Sequence, residues 1–220
     1  MYKFYATLFD AFNYYLNSES DEALQDFLSS VNRTSEMSEA ALKGVAFNEL
    51  IDSINNGNPE VPCDNENIFY KVFSYPIKIV NEFCDYFKGA AQQIYVSAEI
   101  ETKFGTVEVY GYLDELRMDC CYDIKTTSNY TFPKFIDKYQ HLIYPYCLNN
   151  RGSEINTFEY TITDFKDIYK EVYTYNHDRD SQKIKLACEQ LIEFIERPEI
   201  KSQITNQKIY GLISSEINHN

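Results

Sequence analysis

The chain has 220 residues, of which 44% are hydrophobic, 16% aromatic and 25% charged. That mixture predicts one packed globular unit and argues against a disordered chain. Lys and Arg number 20 against 34 Asp and Glu, a formal charge of −14, which argues against a broad basic surface for nucleic acid. There is no run of about 18 apolar residues, and Met1-Tyr2-Lys3-Phe4-Tyr5 lacks the pattern of a signal peptide. A cytosolic protein without a membrane partner is expected, from a prokaryote or a phage-infected host.

In chain order, the first ninety residues read as helical. Helices are predicted over residues 2–16 and 21–31, and a third runs from a Ser35 N-cap to residue 55, with Glu36 and Glu39 favoured in its first turn. Asn55-Asn56-Gly57-Asn58-Pro59 is a loop signal, and a further helix is expected over 74–88. From Ile94 the hydrophobic period becomes two, giving strands over 94–101, 106–116 and 121–127 with turns at Phe104-Gly105 and at 117–120. A helix over 133–148 opens on a well-placed Pro133 and is kinked at Pro145. A strand over 157–163 and a helix over 180–196 complete the pattern.

The expected fold is therefore α/β (α+β), with a central mixed sheet of about four strands flanked by helices and an N-terminal helical part. Its parts are residues 1–92, 93–166 and 167–220 of one domain. The six cysteines, Cys63, Cys84, Cys120, Cys121, Cys147 and Cys188, form no CxxC pair and read as reduced packing thiols. His141, His177 and His219 show no metal-ligand spacing.

The informative stretch is Gly111-Tyr112-Leu113-Asp114-Glu115-Leu116-Arg117, followed by Cys121-Tyr122-Asp123-Ile124-Lys125-Thr126-Thr127. A hairpin turning between Met118 and Asp119 sets Asp114 directly opposite Asp123, with Cβ atoms about 4.5–5.5 Å apart, where like charges repel unless compensated. A divalent cation would supply that compensation. Lys125 projects from the same face about 6.6 Å further along. Val109, Leu113 and Ile124 are expected on the other, core-facing side.

Two carboxylates and the backbone carbonyl of Ile124 make a hard oxygen set suited to Mg2+ or Mn2+. Lys125 would orient or activate the water and offset charge on a scissile phosphate. An isolated D…DxK triplet also describes a solvated hairpin with a salt bridge. The ordered context favours the metal-binding account: a glycine before the first Asp, a hairpin return, Lys-Thr-Thr, and then a helix carrying Gln140 and Tyr144. Tyr110 and Tyr112, on the Asp114 face, either stack on bases or simply fill a sheet face. Thr126, Thr127, Lys138 and Tyr112 are the candidate nucleic-acid contacts.

The run GYLDEL…CYDIKTT…KYQHLIYPYCL resembles the RecB-like, phage-exonuclease-like branch of the PD-(D/E)XK nucleases. Gly111 with Asp114, Asp123-Ile124-Lys125-Thr126, and Gln140 with Tyr144 carry the resemblance, which spans about residues 95–163. It implies a restriction-endonuclease-like core and metal-dependent cleavage of DNA, with Gln140 and Tyr144 positioning substrate or water. Relatives draw a further ligand from a helix before the sheet; here the matching segment is Gly44-Val45-Ala46-Phe47-Asn48-Glu49. Asn48 stands where a histidine is usual, so the fourth ligand falls to Asn48 or to Glu49. Some members hold an iron–sulfur cluster through an early cysteine and a C-terminal trio. Only Cys188 lies in the last seventy residues here, so no cluster is expected. The alternatives are a catalytically silent nuclease-fold protein that binds a protein partner, and an acidic DNA mimic.

Overall fold

A computed structural model describes residues 1–18, 20–57 and 61–211 of the chain. His219 and the Asn58-Pro59 part of the loop signal lie outside the described residues. The elements are β1 (Tyr2–Tyr5), α1 (Ala6–Ser18), α2 (Asp21–Asn32), α3 (Glu39–Asn55), β2 (Asn67–Tyr70), β3 (Phe73–Pro76), α4 (Ile77–Phe87), β4 (Ala91–Thr102), β5 (Gly105–Leu116), β6 (Cys120–Thr126), α5 (Gln140–Asn150), β7 (Thr157–Thr163), β8 (Ile168–Thr174), α6 (His177–Ile195) and α7 (Pro198–Lys201). The fold is mixed α/β, with helices on both faces of a sheet.

That sheet has six strands rather than about four. Its organising strand is β5, whose one edge pairs with β4 along its length. The other edge is forked. β1 runs parallel to Val107–Tyr110, whereas β6 pairs antiparallel only at Glu115↔Tyr122 and Leu116↔Cys121. Between the prongs, Gly111 to Asp114 have no strand partner on that edge. β6 continues in parallel with β7, and β7 antiparallel with β8.

Two apolar clusters clamp the sheet. One gathers Phe4, Phe9, Val109, Leu113, Ile143 and Leu191; the other lies under α3 and α4 and includes Phe47, Phe83, Tyr122 and Ile124. Fully burying a phenylalanine such as Phe47 stabilises the fold by roughly 1.5–3 kcal/mol. Leu113 and Ile124 therefore face opposite layers, and the expectation that they share one core face is corrected. The cause is local. Gln93 takes a left-handed φ of 51° and drops out of the ladder between Gln92↔Glu115 and Ile94↔Leu113. Residues two apart in a regular strand share a face. Here Leu113 enters the first cluster, while Glu115 sits opposite Tyr122 of the second. Alternation thus breaks at Asp114.

Several boundaries differ from expectation for physical reasons. Residues 2–5 form a strand instead of the first helical turn, because the aromatic tetrapeptide finds an open β5 edge and buries Phe4. The α3 N-cap is Ser38, whose hydroxyl accepts from the Ala41 N–H at 3.2 Å, not Ser35. Residues 73–76 form a hairpin strand and α4 begins at Ile77. Residues 133–139 are not helical: the Glu171 carboxylate accepts the Lys134 and Phe135 N–H groups at 2.7 and 3.0 Å. The helix starts only at Gln140. The second edge strand, β8, was not anticipated.

Candidate metal and active site

The forked edge places the site. Gly111 is required because a Cβ there would lie 2.8 Å from the Tyr144 hydroxyl and closer still to its ring. With only hydrogen at that position, α5 settles directly on β5. Gly44 plays the same part for α3, since its Cβ would sit 2.7 Å from Thr126 Oγ1. Both helices thereby reach the point where β5 and β6 diverge.

One cleft of about 470 Å3 brings together Asn48, Asp114, Asp123, Ile124, Lys125 and Gln140. Tyr112 and Thr126 also line it. Asp114 Oδ2 accepts the Ile124 N–H at 2.8 Å and Asn48 Nδ2 at 3.2 Å. Asp123 Oδ1 accepts Gln140 Nε2 at 2.5 Å, and its Oδ2 lies 2.6 Å from Lys125 Nζ. Asp123 is 2% exposed, so its charge is held almost wholly by these neighbours. Desolvation and then the charge of Asp123 push the Asp114 carboxyl above the usual range. Burial opposes the Lys125 ammonium, but Asp123 and Asp114 outweigh it and hold its pKa above normal. Two carboxylates and one ammonium thus leave a site that is still short of positive charge.

The donors suit a hard cation. Asn48 Oδ1 is buried without a hydrogen-bond partner, and Asp123 Oδ2 has no partner of hydrogen-bonding geometry beyond its ion pair. A buried polar atom without a partner costs roughly 1–3 kcal/mol, a cost that ligation would relieve. Among the described residues, no group of three or more His, Cys, Asp or Glu side chains converges on a metal position. The fitting set is instead two carboxylates, the Asn48 amide oxygen and the Ile124 carbonyl, all oxygen donors.

Other candidates fall elsewhere. Glu49 pairs with Lys71 of the β2–β3 hairpin and does not line the cleft. Thr127 turns into the following loop, donating to the Asn129 carbonyl at 2.8 Å and accepting from Lys134 Nζ at 2.5 Å. Lys138 Nζ lies 3.9 Å from Asp10 Oδ2. Gln140 and Tyr144 are buried at 5% and 4% exposure, not helix-surface residues, and Gln140 Nε2 is 3.2 Å from the Tyr144 hydroxyl. Burial, followed by Asp123, raises the Tyr144 pKa, keeping protonated the hydroxyl that accepts from Gln140.

Asp10 escaped sequence reasoning. Its Oδ1 accepts the Tyr139 N–H at 2.9 Å, fixing the start of α5, and burial pushes its carboxyl up to about 6 despite Lys138. As the sole acid in α1, set between buried Phe9 and Phe12, it carried a usable signal. Glu115 also went unnoticed: fully buried, with neither oxygen hydrogen-bonded, it is pushed up to about 9 by burial and Asp52.

No family model matches the chain, and no curated protein matches it in sequence. Among solved structures, the crystal structure of SSO0001 is similar to it in fold, with a TM-score of 0.50 and 15% identity. The match covers 98% of this chain and 87% of that one. No described helix is long and apolar enough to cross a membrane.

Proposed function

We propose that the protein is a divalent-metal-dependent DNA nuclease, an exonuclease of the PD-(D/E)XK type acting in replication, recombination or repair. The observation that carries this reading is the convergence of Asp114, Asp123, Lys125 and Gln140 in one cleft with buried oxygens left unpartnered. Asp114, Asp123, the Asn48 amide oxygen and the Ile124 carbonyl would hold Mg2+ or Mn2+. When bound, such an ion lowers the pKa of water and offsets charge developing on a phosphoryl group.

The chain's own residues do the rest. The Ile124 N–H and the Asn48 amide aim Asp114, and Gln140 aims Asp123, so both carboxylates are preorganised. Lys125 places a fixed positive charge beside Asp123, where a phosphate oxygen would gain negative charge in the transition state. Tyr144, kept protonated, supports Gln140 from below.

The test is incubation of purified protein with end-labelled DNA and RNA in Mg2+, Mn2+ or chelator. Metal-dependent cleavage is expected, with Asp123→Asn and Lys125→Ala each lowering the rate by about 100-fold or more. Absence of cleavage by the wild type would refute the reading and favour a non-enzymatic partner-binding role for this acidic chain.

A further inference from the structure

Four tyrosines extend from the site along one face of the sheet. By register Tyr5 lies opposite Tyr110, and Tyr112 opposite Tyr95, so the rings share a face. Neighbouring centroids are 6.3 Å apart for Tyr5 and Tyr110, 6.1 Å for Tyr110 and Tyr95, and 5.2 Å for Tyr95 and Tyr112. The rings are tilted 44–58° to one another rather than stacked face to face. Tyr112 is 57% exposed and Tyr95 40%, which is unusual for a contiguous aromatic row.

Arg33 completes the row. It has a left-handed φ of 56° at the end of α2; its guanidinium lies 4.7 Å over the Tyr5 ring, and its Nη2 donates to the Tyr110 hydroxyl at 2.5 Å. Among the described residues no carboxylate is within ion-pair reach of it. Glu108, with Glu99 opposite it on this face, is paired with Lys3 at 2.7 Å and accepts from the Tyr95 hydroxyl at 3.3 Å. Tyr5, Arg33, Tyr110 and Tyr112 border a cleft of about 610 Å3 that also includes Met37. Tyr112 lines both this cleft and the one holding Asp114 and Asp123, so the two are adjacent.

We infer that Tyr95 and Tyr112, the exposed end of the row, form with Arg33 at its other end a stacking site for the unpaired bases of a single-stranded nucleic acid, leading towards the carboxylate cleft. Exposed aromatic faces fit bases whose own faces are free, and in a duplex those faces are covered by stacking. Arg33 offers a planar donor fork to one phosphate. With a formal charge of −14 and one unpaired cation at the platform, affinity comes from stacking more than from counterion release, so its salt dependence should be shallow. The inference rests on the nuclease reading only for the strand's destination.

The chain contains no tryptophan, so Tyr112→Trp creates a single fluorescent reporter on the platform. In chelator, where no metal-dependent cleavage occurs, it is titrated with deoxy- and ribo-oligomers of ten nucleotides and with a blunt duplex. Quenching by single strands and not by duplex is expected, with log K falling against log salt no more steeply than about −1.5, as for one or two phosphates. Arg33→Ala should weaken binding about tenfold. Either sugar supports the site, and their ratio identifies the polymer. Tyr95→Trp gives a second reporter should the first fail to fold.

No quenching of either reporter by single strands, equal quenching by duplex, or a salt slope steeper than about −3 would overturn the inference. Quenching without cleavage by the wild type in metal would sink the nuclease reading and leave the platform standing. Cleavage without quenching would do the reverse.

Discussion

At the scale of single residues, Asn48 is the departure with most consequence. Its Nδ2 donates to Asp114 and its Oδ1 is left unpartnered, so it holds one carboxylate and leaves an oxygen that the proposed cation would take. Asn48→Asp exchanges that donor for a second negative charge against Asp114. The metal-free form should lose on the order of 1–3 kcal/mol, while the gain in stability on adding Mn2+ should grow. Thermal unfolding with chelator and with Mn2+ checks both; equal losses in the two conditions would mean that Asn48 faces no cation. The ambiguity between Asn48 and Glu49 was not resolvable from sequence. Adjacent helix residues point about 100° apart, and only the position of Lys71 on the β2–β3 hairpin decides which one is drawn away.

At the scale of elements, the two glycines make a graded pair. Gly111→Ala drives a methyl group into the Tyr144 ring, which is buried and cannot withdraw, whereas Gly44→Ala meets chiefly one hydroxyl of Thr126. The first should cost about 1–3 kcal/mol and displace Gln140 from Asp123; the second should cost less. Urea unfolding and cleavage rates of the two variants test this order, and equal effects would contradict it. Much of this arrangement was legible. The hairpin register derived from a turn between Met118 and Asp119 matches Glu115↔Tyr122 and Leu116↔Cys121, but the ladder ends there, so Asp114 and Asp123 are not the cross-strand pair expected. The strand over Thr157–Thr163 was located to the residue. What stayed hidden depended on distant partners. β1 is too short to signal itself and needs the free edge of β5, while α5 starts late because Glu171 and Asp10 capture the preceding N–H groups. The break of alternation at Asp114 follows from Gln93 on a neighbouring strand, which no local pattern shows.

At the scale of the molecule, the reading of a globular mixed α/β unit survives, with more strands than expected. A pH dependence follows from one buried group. His141 is 7% exposed, its ring centroid 4.2 Å from that of Tyr173, and burial lowers its pKa to about 4. Since the unfolded value is about 6.5, the unfolded chain takes up the proton first as pH falls. The stability contributed by neutral His141 is thus complete above about pH 6.5 and is lost from there towards about pH 4, by up to about 3 kcal/mol. Asp10, raised to about 6, acts in the opposite sense from about pH 6 downward, which is most of this window. The measurement is therefore the difference in urea stability between wild type and His141→Phe across pH 4–7, with the variant showing the shallower fall. The forked edge of β5 has a further consequence, for the order in which the protein is made. Residues 2–5 leave the ribosome long before their partner Val107–Tyr110, and Asp123 in turn emerges before Gln140. Every truncated product ending before α5 would lack the group that aims Asp123, so incomplete translation would yield chains with an unfinished cleft.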